Sequence, residues 1–389
     1  MNKLYIITNS TFPFGNANSN YLRYFALALK NVGWDVSVIG SNLSGKCEAF
    51  GEFEGINFKN ITLKNHRLPF HITDHLFYAD ELKAAIKEAN IQKEDYVFVY
   101  SMYMDIVKTA LKELDLEKGH LSIGMVEWFM PFQYRFGTLN PDYICWKHTF
   151  SKLVTKYPKV LPISENLSKY YKNAGCETMV LPIMADTENN KNDSFKVKKD
   201  GVYNFIYPGD AGKKDTFDGI IEALNKLSDE ELKKLKFHVT LLKEKTVEKI
   251  AKSKNIDSDR IKKCFVFHGR LEYSKLLELY NDMDFLFIAR EKNTVTISNF
   301  PSKIPELMSY NIVPVCSKVG DYADFYLEDR KDSIIFDGCD CDACFDGIKR
   351  AISLSDDELL EMKKNARKCV EEKFDYHNWS EKIAEFLTK

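Results

Sequence analysis

The sequence predicts an α/β protein built as two doubly wound units. Three observations point there. At 389 residues the chain exceeds what one hydrophobic core normally serves. Short apolar runs alternate with helix-length segments, as parallel strands joined by crossover helices require. That alternation stops at a polar, Asn-rich stretch, DTENNKNDSFKVKKD (186–200), and then restarts. The expected organisation is a first unit over 1–186, a linker over 187–200, a second unit over 201–375 and a closing helix over 376–389.

In the first half, KLYIIT (3–8) is a strand. A loop holding Gly15 follows, then a helical run from about Ser19 to Val32, with Gly33 as its C-cap, and then the strand WDVSVIG. Strand, helix and strand make one right-handed βαβ crossover. YVFVYS (96–101), LSIGMV (121–126), KVLPIS (159–164) and TMVLPI (178–183) are further strands. After the linker come NFIYPG, a helix from about Phe217 to Leu227, FHVTLL, CFVFHG, a helix over 273–281, DFLFIA, IVPVCS and terminal helices from about 356 to 388. The amphipathic segment HNWSEKIAEFL does not name its own partner surface, and packing back on the first unit is one arrangement open to it. No tandem repeat of solenoid length is present.

Composition narrows the class. Apolar content of 44% and charged content of 29% are those of a water-soluble globular protein, and a net charge of −2 gives no reason to expect nucleic acid. No apolar run approaches the length of a membrane span. The N-terminus, MNKLYIITNS, runs straight into a strand without a signal-peptide pattern, so a cytoplasmic location and reduced thiols are expected for its nine cysteines. Cys339, Cys341 and Cys344 in DGCDCDACFDG offer three of the four ligands zinc usually takes, with no fourth nearby; a turn entering a helix explains them better. No metal is expected.

The densest chemistry lies in the second half. In SNFPSKIPELMSYNIVPVCS (298–317) a helix begins near Pro301 or Ser302, where a proline's missing N–H costs nothing. Ser302 and Lys303 would offer N–H groups and a cation to an anion such as phosphate. Glu306, one turn on, could accept two hydroxyl donors, as from a ribose. An ordinary capped helix with solvated charges fits the same residues. In YPGDAGKKDTFDGIIEAL, Gly209 and Gly212 lie in the turn after a strand, followed by Lys213 and Lys214; glycine lets a ligand approach and lysine can neutralise a diphosphate. Both stretches follow strand ends, where open α/β sheets bind ligands.

At these residues the chain resembles a family. ELMSYNIVPVCS aligns without gaps to the EAMACGxPVIAS segment of family 4-type glycosyltransferases of the GT-B fold, with Glu306 on the family's glutamate and Asn311 on its turn glycine. VGDY (319–322), GDAGKKD, the segment FVFHGRLEYSKLLELYNDMDFLFIAR, the pair VLPISENLSKYYKNAG and VLPIMAD, and the opening loop TFPFGNANSNYLRYFALALKNVGWDVSVIG follow the same pattern. The resemblance thus covers most of the chain and is most specific over 290–320. It implies two Rossmann-like domains facing a cleft, the second holding a nucleotide-diphosphate sugar (UDP or GDP) and the first an acceptor. It implies that Lys213, Lys214, Arg290 and the helix start at Ser302 stabilise the leaving diphosphate, that no metal or cofactor is needed, and that configuration at the anomeric carbon is retained. The chain departs in two places. Ser298 stands where the family's E-x7-E spacing has its first acid, on the donor sugar. Asp210 stands where an arginine is usual.

The first half would then hold the acceptor. Gly15 would allow backbone approach to the transferring sugar. Asn18, Ser19 and Asn20 offer polar contacts or helix caps. Glu127 and Trp128, at the end of the strand LSIGMV, pair a carboxylate with an aromatic, as a sugar's hydroxyls and ring face require; a buried Trp beside a solvated Glu reads the same way. Solvated histidines are the plainer reading of His66, His71 and His75. His268 has no assigned role. By analogy, a glycan or lipid-linked acceptor, cell-surface polysaccharide synthesis and peripheral contact with the inner membrane face are expected. A nucleotide-sugar epimerase and a non-catalytic sugar-nucleotide- or glycan-binding protein stand as rivals, the lost acid at Ser298 favouring the second.

Overall fold

The computed structural model describes residues 1–42, 47–62, 72–189, 195, 201–209 and 214–389, with 72–78 as helix backbone. His66, His71, the His75 side chain, Asp210, Gly212, Lys213 and most of the expected linker lie outside the described residues. The chain forms two compact units, Met1–Met184 with Tyr376–Lys389, and Ala185–Asp375.

The first unit's strands are β1 (Lys3–Thr8), β2 (Asp35–Ser41), β3 (Phe50–Phe53), β4 (Ile56–Ile61), β5 (Tyr96–Tyr100), β6 (Leu121–Met125), β7 (Lys159–Pro162) and β8 (Glu177–Thr178). Among the described residues they form one sheet in the order β3-β4-β2-β1-β5-β6-β7-β8. Every pairing is parallel except β3 with β4. That hairpin was not expected. Its turn uses Glu54 and Gly55 at φ +49° and +73°, and a Glu-Gly pair lacks the Asn-Gly or Asp-Gly signature of such turns. β8 is shorter than TMVLPI suggested, although Leu181 still donates its N–H to the Pro162 carbonyl at 2.9 Å. Proline has no N–H to give back, so the ladder thins there.

The first helix, Ala17–Asn31, starts two residues before the expected Ser19. Asn16 is its N-cap: the side chain accepts from the backbones of Asn18 and Ser19, and Ser19 returns a bond to the cap. The chain re-enters this unit at Tyr376. The helix Ser380–Thr388 lays Ile383, Phe386 and Leu387 into the core beside Leu4, Phe25 and Leu29. Lys159 closes the contact, its Nζ donating to the Leu387 carbonyl at 2.5 Å.

The second unit's strands are β9 (Tyr203–Tyr207), β10 (Leu235–Val239), β11 (Phe265–Phe267), β12 (Phe285–Ile288), β13 (Val313–Ser317) and β14 (Ile334–Phe336). Among the described residues they form a parallel sheet in the order β11-β10-β9-β12-β13-β14. Phe205, Phe237, Phe285 and Phe287 pack together through its middle. Asn311 sits at φ +61° before β13, the left-handed position expected of it. Cys339, Cys341 and Cys344 surround the start of the helix Cys341–Ile352, whose N-cap is Asp340; among the described residues no group of three His, Cys, Asp or Glu is placed to hold a metal.

Both sheets share one topological property. In the first, chain order runs outward from β1 through β2 and outward the other way from β5, with β1 and β5 adjacent. In the second, the same reversal falls between β9 and β12. Crossovers leave on opposite faces at such a point, opening a crevice beyond the carboxyl ends of the two strands.

Candidate active site

The crevice of the second unit carries a buried ion cluster. β9 ends at Tyr207, and Asp215 follows it within the loop before the helix Asp218–Lys226. β12 ends one residue before Ala289, leading into Arg290. Arg290 is 4% exposed and Asp215 is 8% exposed. Arg290 Nε donates to Asp215 Oδ1 at 2.5 Å, and Arg290 Nη1 donates to Asn299 Oδ1 at 3.1 Å. The Tyr207 hydroxyl donates to Asp215 Oδ2 at 2.5 Å. Lys303 Nζ lies 3.9 Å from the same carboxylate and 5.1 Å from the centre of the Tyr207 ring.

Two cations against one carboxylate leave positive charge in excess. Burial alone would push the Asp215 carboxyl up, but Arg290 and Lys303 outweigh it and hold it below the usual carboxylate range. Burial lowers Lys303 from the ordinary lysine value; Asp215 opposes that shift, Arg290 adds to it, and Glu306 and Lys214 act more weakly. Lys214, Arg290, Lys303 and Glu306 therefore converge on one place. Gly209 belongs to the same arrangement, because a Cβ there would meet Lys303 Cε at 2.9 Å.

Three details differ from expectation. The helix starting at Lys303 runs only to Met308, and the Ser302 side chain makes no cap hydrogen bond, so Lys303 rather than a long helix dipole supplies most of the field. Arg290 is not a free phosphate clamp; its guanidinium is engaged by Asp215 and Asn299. Ser298 is fully buried after the helix Thr294–Ile297, so the structure does not present it as an open donor contact. Asp215 was overlooked although it closes the stretch GDAGKKD. A carboxylate after two lysines reads as one more solvated charge until a buried arginine is placed beside it.

The crevice of the first unit is a cavity of about 320 Å³. Asn9 from the end of β1, Tyr100 and Ser101 from the end of β5, and Gly124 of β6 form its floor. Glu127, Phe129, Tyr134, Asp142 and Trp146 form a wall. Asn18, on the first turn of the helix Ala17–Asn31, lines it too, and its Oδ1 accepts from the Tyr100 hydroxyl at 3.1 Å. Phe129 packs edge-on against Trp146, with ring centres 5.5 Å apart.

One expectation is corrected here. Trp128 does not line this cavity; it packs edge-on against Phe150 and Tyr170, with ring centres at 4.8 and 5.4 Å. Side chains alternate along the extended stretch after β6, so Glu127 and Phe129 share a side and Trp128 takes the other. At Gly15 the missing Cβ leaves room for the helix cap, since a Cβ there would meet Ser19 Oγ at 2.7 Å. Tyr134, Asp142 and Trp146 were missed. In NPDYICW the Asn-Pro-Asp run reads as a helix start, and Asn140 does cap the helix Pro141–His148; nothing in that pattern shows that the helix flanks a cavity.

Two parallel sheets, each with a switch point, place the chain in the GT-B fold class. Comparison with known proteins agrees. Residues 187–369 match the family described as glycosyl transferases group 1. Sucrose-phosphate synthase from Thermosynechococcus elongatus is similar in structure, with 10% identity, a TM-score of 0.75, and coverage of 100% of this chain and 98% of that one. A structure described as trehalose-6-phosphate from E. coli bound with UDP-2-fluoro glucose has 12% identity and a TM-score of 0.69, covering 100% of this chain and 99% of that one. WaaG, a glycosyltransferase involved in lipopolysaccharide biosynthesis, has 16% identity, a TM-score of 0.67 and 99% coverage of both chains. No curated protein matches in sequence. The family match spans most of the second unit, and the whole chain shares the GT-B fold of these glycosyltransferases.

Proposed function

We propose that the protein transfers a sugar from a nucleotide-diphosphate sugar, with UDP or GDP as carrier, to a glycan or lipid-linked acceptor in cell-surface polysaccharide synthesis. The observation behind this is the buried Asp215–Arg290–Lys303 cluster at the β9/β12 crossover, with its positive excess. A diphosphate is the ligand such a crevice suits. The relative bound to UDP-2-fluoro glucose supports this choice of donor.

In the reaction, the bond from the anomeric carbon to the diphosphate oxygen breaks and the acceptor hydroxyl oxygen bonds to that carbon. The acceptor's proton passes to the departing phosphate oxygen or to a carboxylate, for which Glu127 is the candidate. Lys303, Lys214 and Lys213 stabilise the diphosphate as it leaves, while Arg290 fixes Asp215, whose carboxylate in turn attracts Lys303. Ser302 adds its backbone N–H, and Glu306 takes the ribose hydroxyls. Side chains supply the positive charge, so transfer should persist in EDTA. Retention is expected, and the anomeric signals of the product in NMR test it.

Glu127 and Asn18 are placed on the acceptor. The segment that sends Phe129, Tyr134 and Asp142 into the first cavity also exposes Phe132, Phe136, Leu139 and Ile144, which supports a lipid-linked acceptor and peripheral membrane contact. No helix among the described residues is long and apolar enough to cross a membrane.

The test is thermal stability with UDP-, GDP-, ADP- and CMP-sugars, repeated for Lys303→Ala and Glu306→Ala. A ligand that binds only the folded state raises the melting temperature. A shift with one nucleotide, lost in both variants, places the donor here; no shift with any of them sinks the proposal.

A further inference from the structure

We propose that the first-unit cavity takes a sugar carrying neither phosphate nor carboxylate, and that Glu127 and Asp142 enforce this choice. The inference rests on the reading of that cavity as the acceptor site.

The chemistry of the lining supports it. Tyr100, Phe129, Tyr134 and Trp146 give aromatic surface on which the C–H face of a sugar ring can lie. Glu127 and Asp142, as carboxylates, only accept hydrogen bonds, and sugar hydroxyls are donors that suit them. Asn9 and Asn18 can both donate and accept. Trp146 is 6% exposed, and its buried indole N–H has no acceptor in the protein. A buried donor left unmatched is costly, and a sugar oxygen is the kind of partner it lacks.

Charge then separates one sugar class from another. Burial, then Asp142, then Glu127 push the Tyr134 phenol up; burial, then Tyr21 and Glu127, push Tyr100 up. Both carboxylates therefore act on one side chain within the cavity, and the phenols stay protonated as donors. Among the described residues lining the cavity none is Lys, Arg or His. A phosphate entering here would set its charge beside two carboxylates against apolar walls, where Coulomb repulsion is weakly screened. A neutral or amine-bearing sugar meets no such penalty.

The experiment measures dissociation constants for the intact protein by saturation-transfer NMR. The probes are methyl glucoside, methyl galactoside and methyl mannoside, each beside its 6-phosphate and its uronate. At low salt each bound neutral probe should be at least about tenfold tighter than its charged partners. High salt should narrow that gap. The amide exchanges Glu127→Gln and Asp142→Asn keep shape and remove charge; together they should shrink it to less than about threefold. Asp142→Asn alone, with its melting temperature recorded, covers the case in which the double variant does not fold. Binding of a 6-phosphate as tight as its neutral partner overturns the inference and leaves the acceptor assignment standing. Binding of none of the probes overturns both, while a nucleotide-sugar shift from the second unit would still support the donor site.

Discussion

The two sheets reach the same kind of crevice and furnish it in opposite ways. Beyond β9 and β12 the floor is ionic, with Arg290 and Lys303 about one buried carboxylate. Beyond β1 and β5 it is aromatic, with Glu127 and Asp142 set among Tyr100, Phe129, Tyr134 and Trp146. Topology alone makes both places fit to bind a ligand. The side chains at the strand ends carry the proposed choice of ligand: a diphosphate at one and a hydroxyl-rich ring at the other. Fold and specificity are thus carried by different residues.

The largest expected effect lies in the ionic crevice. Arg290→Ala leaves Asp215 buried beside a hydroxyl and a more distant lysine, and should cost about 3–5 kcal/mol in urea unfolding. Arg290→Met with Asp215→Asn should cost clearly less than the two single changes summed, since the pair is coupled. Simple additivity would show that the cluster is not one unit. Lys303→Ala is different: its side chain is 24% exposed, so stability should change little while transfer falls about 10²-fold. An unfolded Lys303→Ala protein would remove that distinction.

In the aromatic crevice the contrast is between two tryptophans. Trp146→Ala should raise the acceptor KM about tenfold, and Trp128→Ala should leave it within about twofold while lowering the melting temperature. The reverse order would restore Trp128 as the stacking residue and undo the assignment of the wall.

The same crevices show how much was legible from sequence. Strand runs such as KLYIIT and DFLFIA have an apolar periodicity that one chain segment carries by itself, and both the fold and the left-handed Asn311 follow from such local rules. The donor stretch was readable for the same reason: lysines and glycines next to a strand end form a contiguous pattern. The acceptor wall was not. Asp142 and Trp146 line the cavity together with Tyr100 and Gly124, a long-range placement that the capping motif of the helix Pro141–His148 does not encode. Asp215 lies within the donor stretch, but its importance depends on a partner 75 residues away that no local pattern shows.

Two acid transitions should separate the parts of the second sheet. Burial, then His268 and Lys236, lower His238 to about 4, against Asp282. Its unfolded form takes up a proton first as pH falls, so its contribution is whole above about pH 6.5 and is lost on acidification toward pH 4. The loss is about 3 kcal/mol at most, and His238→Asn should flatten that interval. Asp215 is held below the ordinary aspartate value of 3.8, so its contribution is present above that value and disappears as pH falls further. Asp215→Asn should lower the curve evenly at higher pH and flatten only this lower limb. Unfolding free energy against pH that shows the same window for both variants would contradict the independence of the two groups.

The smallest effect settles the role of Gly15. Its missing Cβ leaves room for Ser19 Oγ, which would otherwise stand 2.7 Å away, and Ser19 in turn accepts the Asn16 N–H at 3.2 Å. Gly15→Ala should therefore displace that hydroxyl and weaken the capping box by about 1 kcal/mol, seen as a slightly lower melting temperature. Asn18, one residue before Ser19, lines the cavity, so a frayed cap would raise the acceptor KM slightly without touching kcat. A fall in kcat with unchanged stability would reverse that reading, because only a backbone approaching the transferring sugar would make a glycine matter to the chemical step and not to the helix.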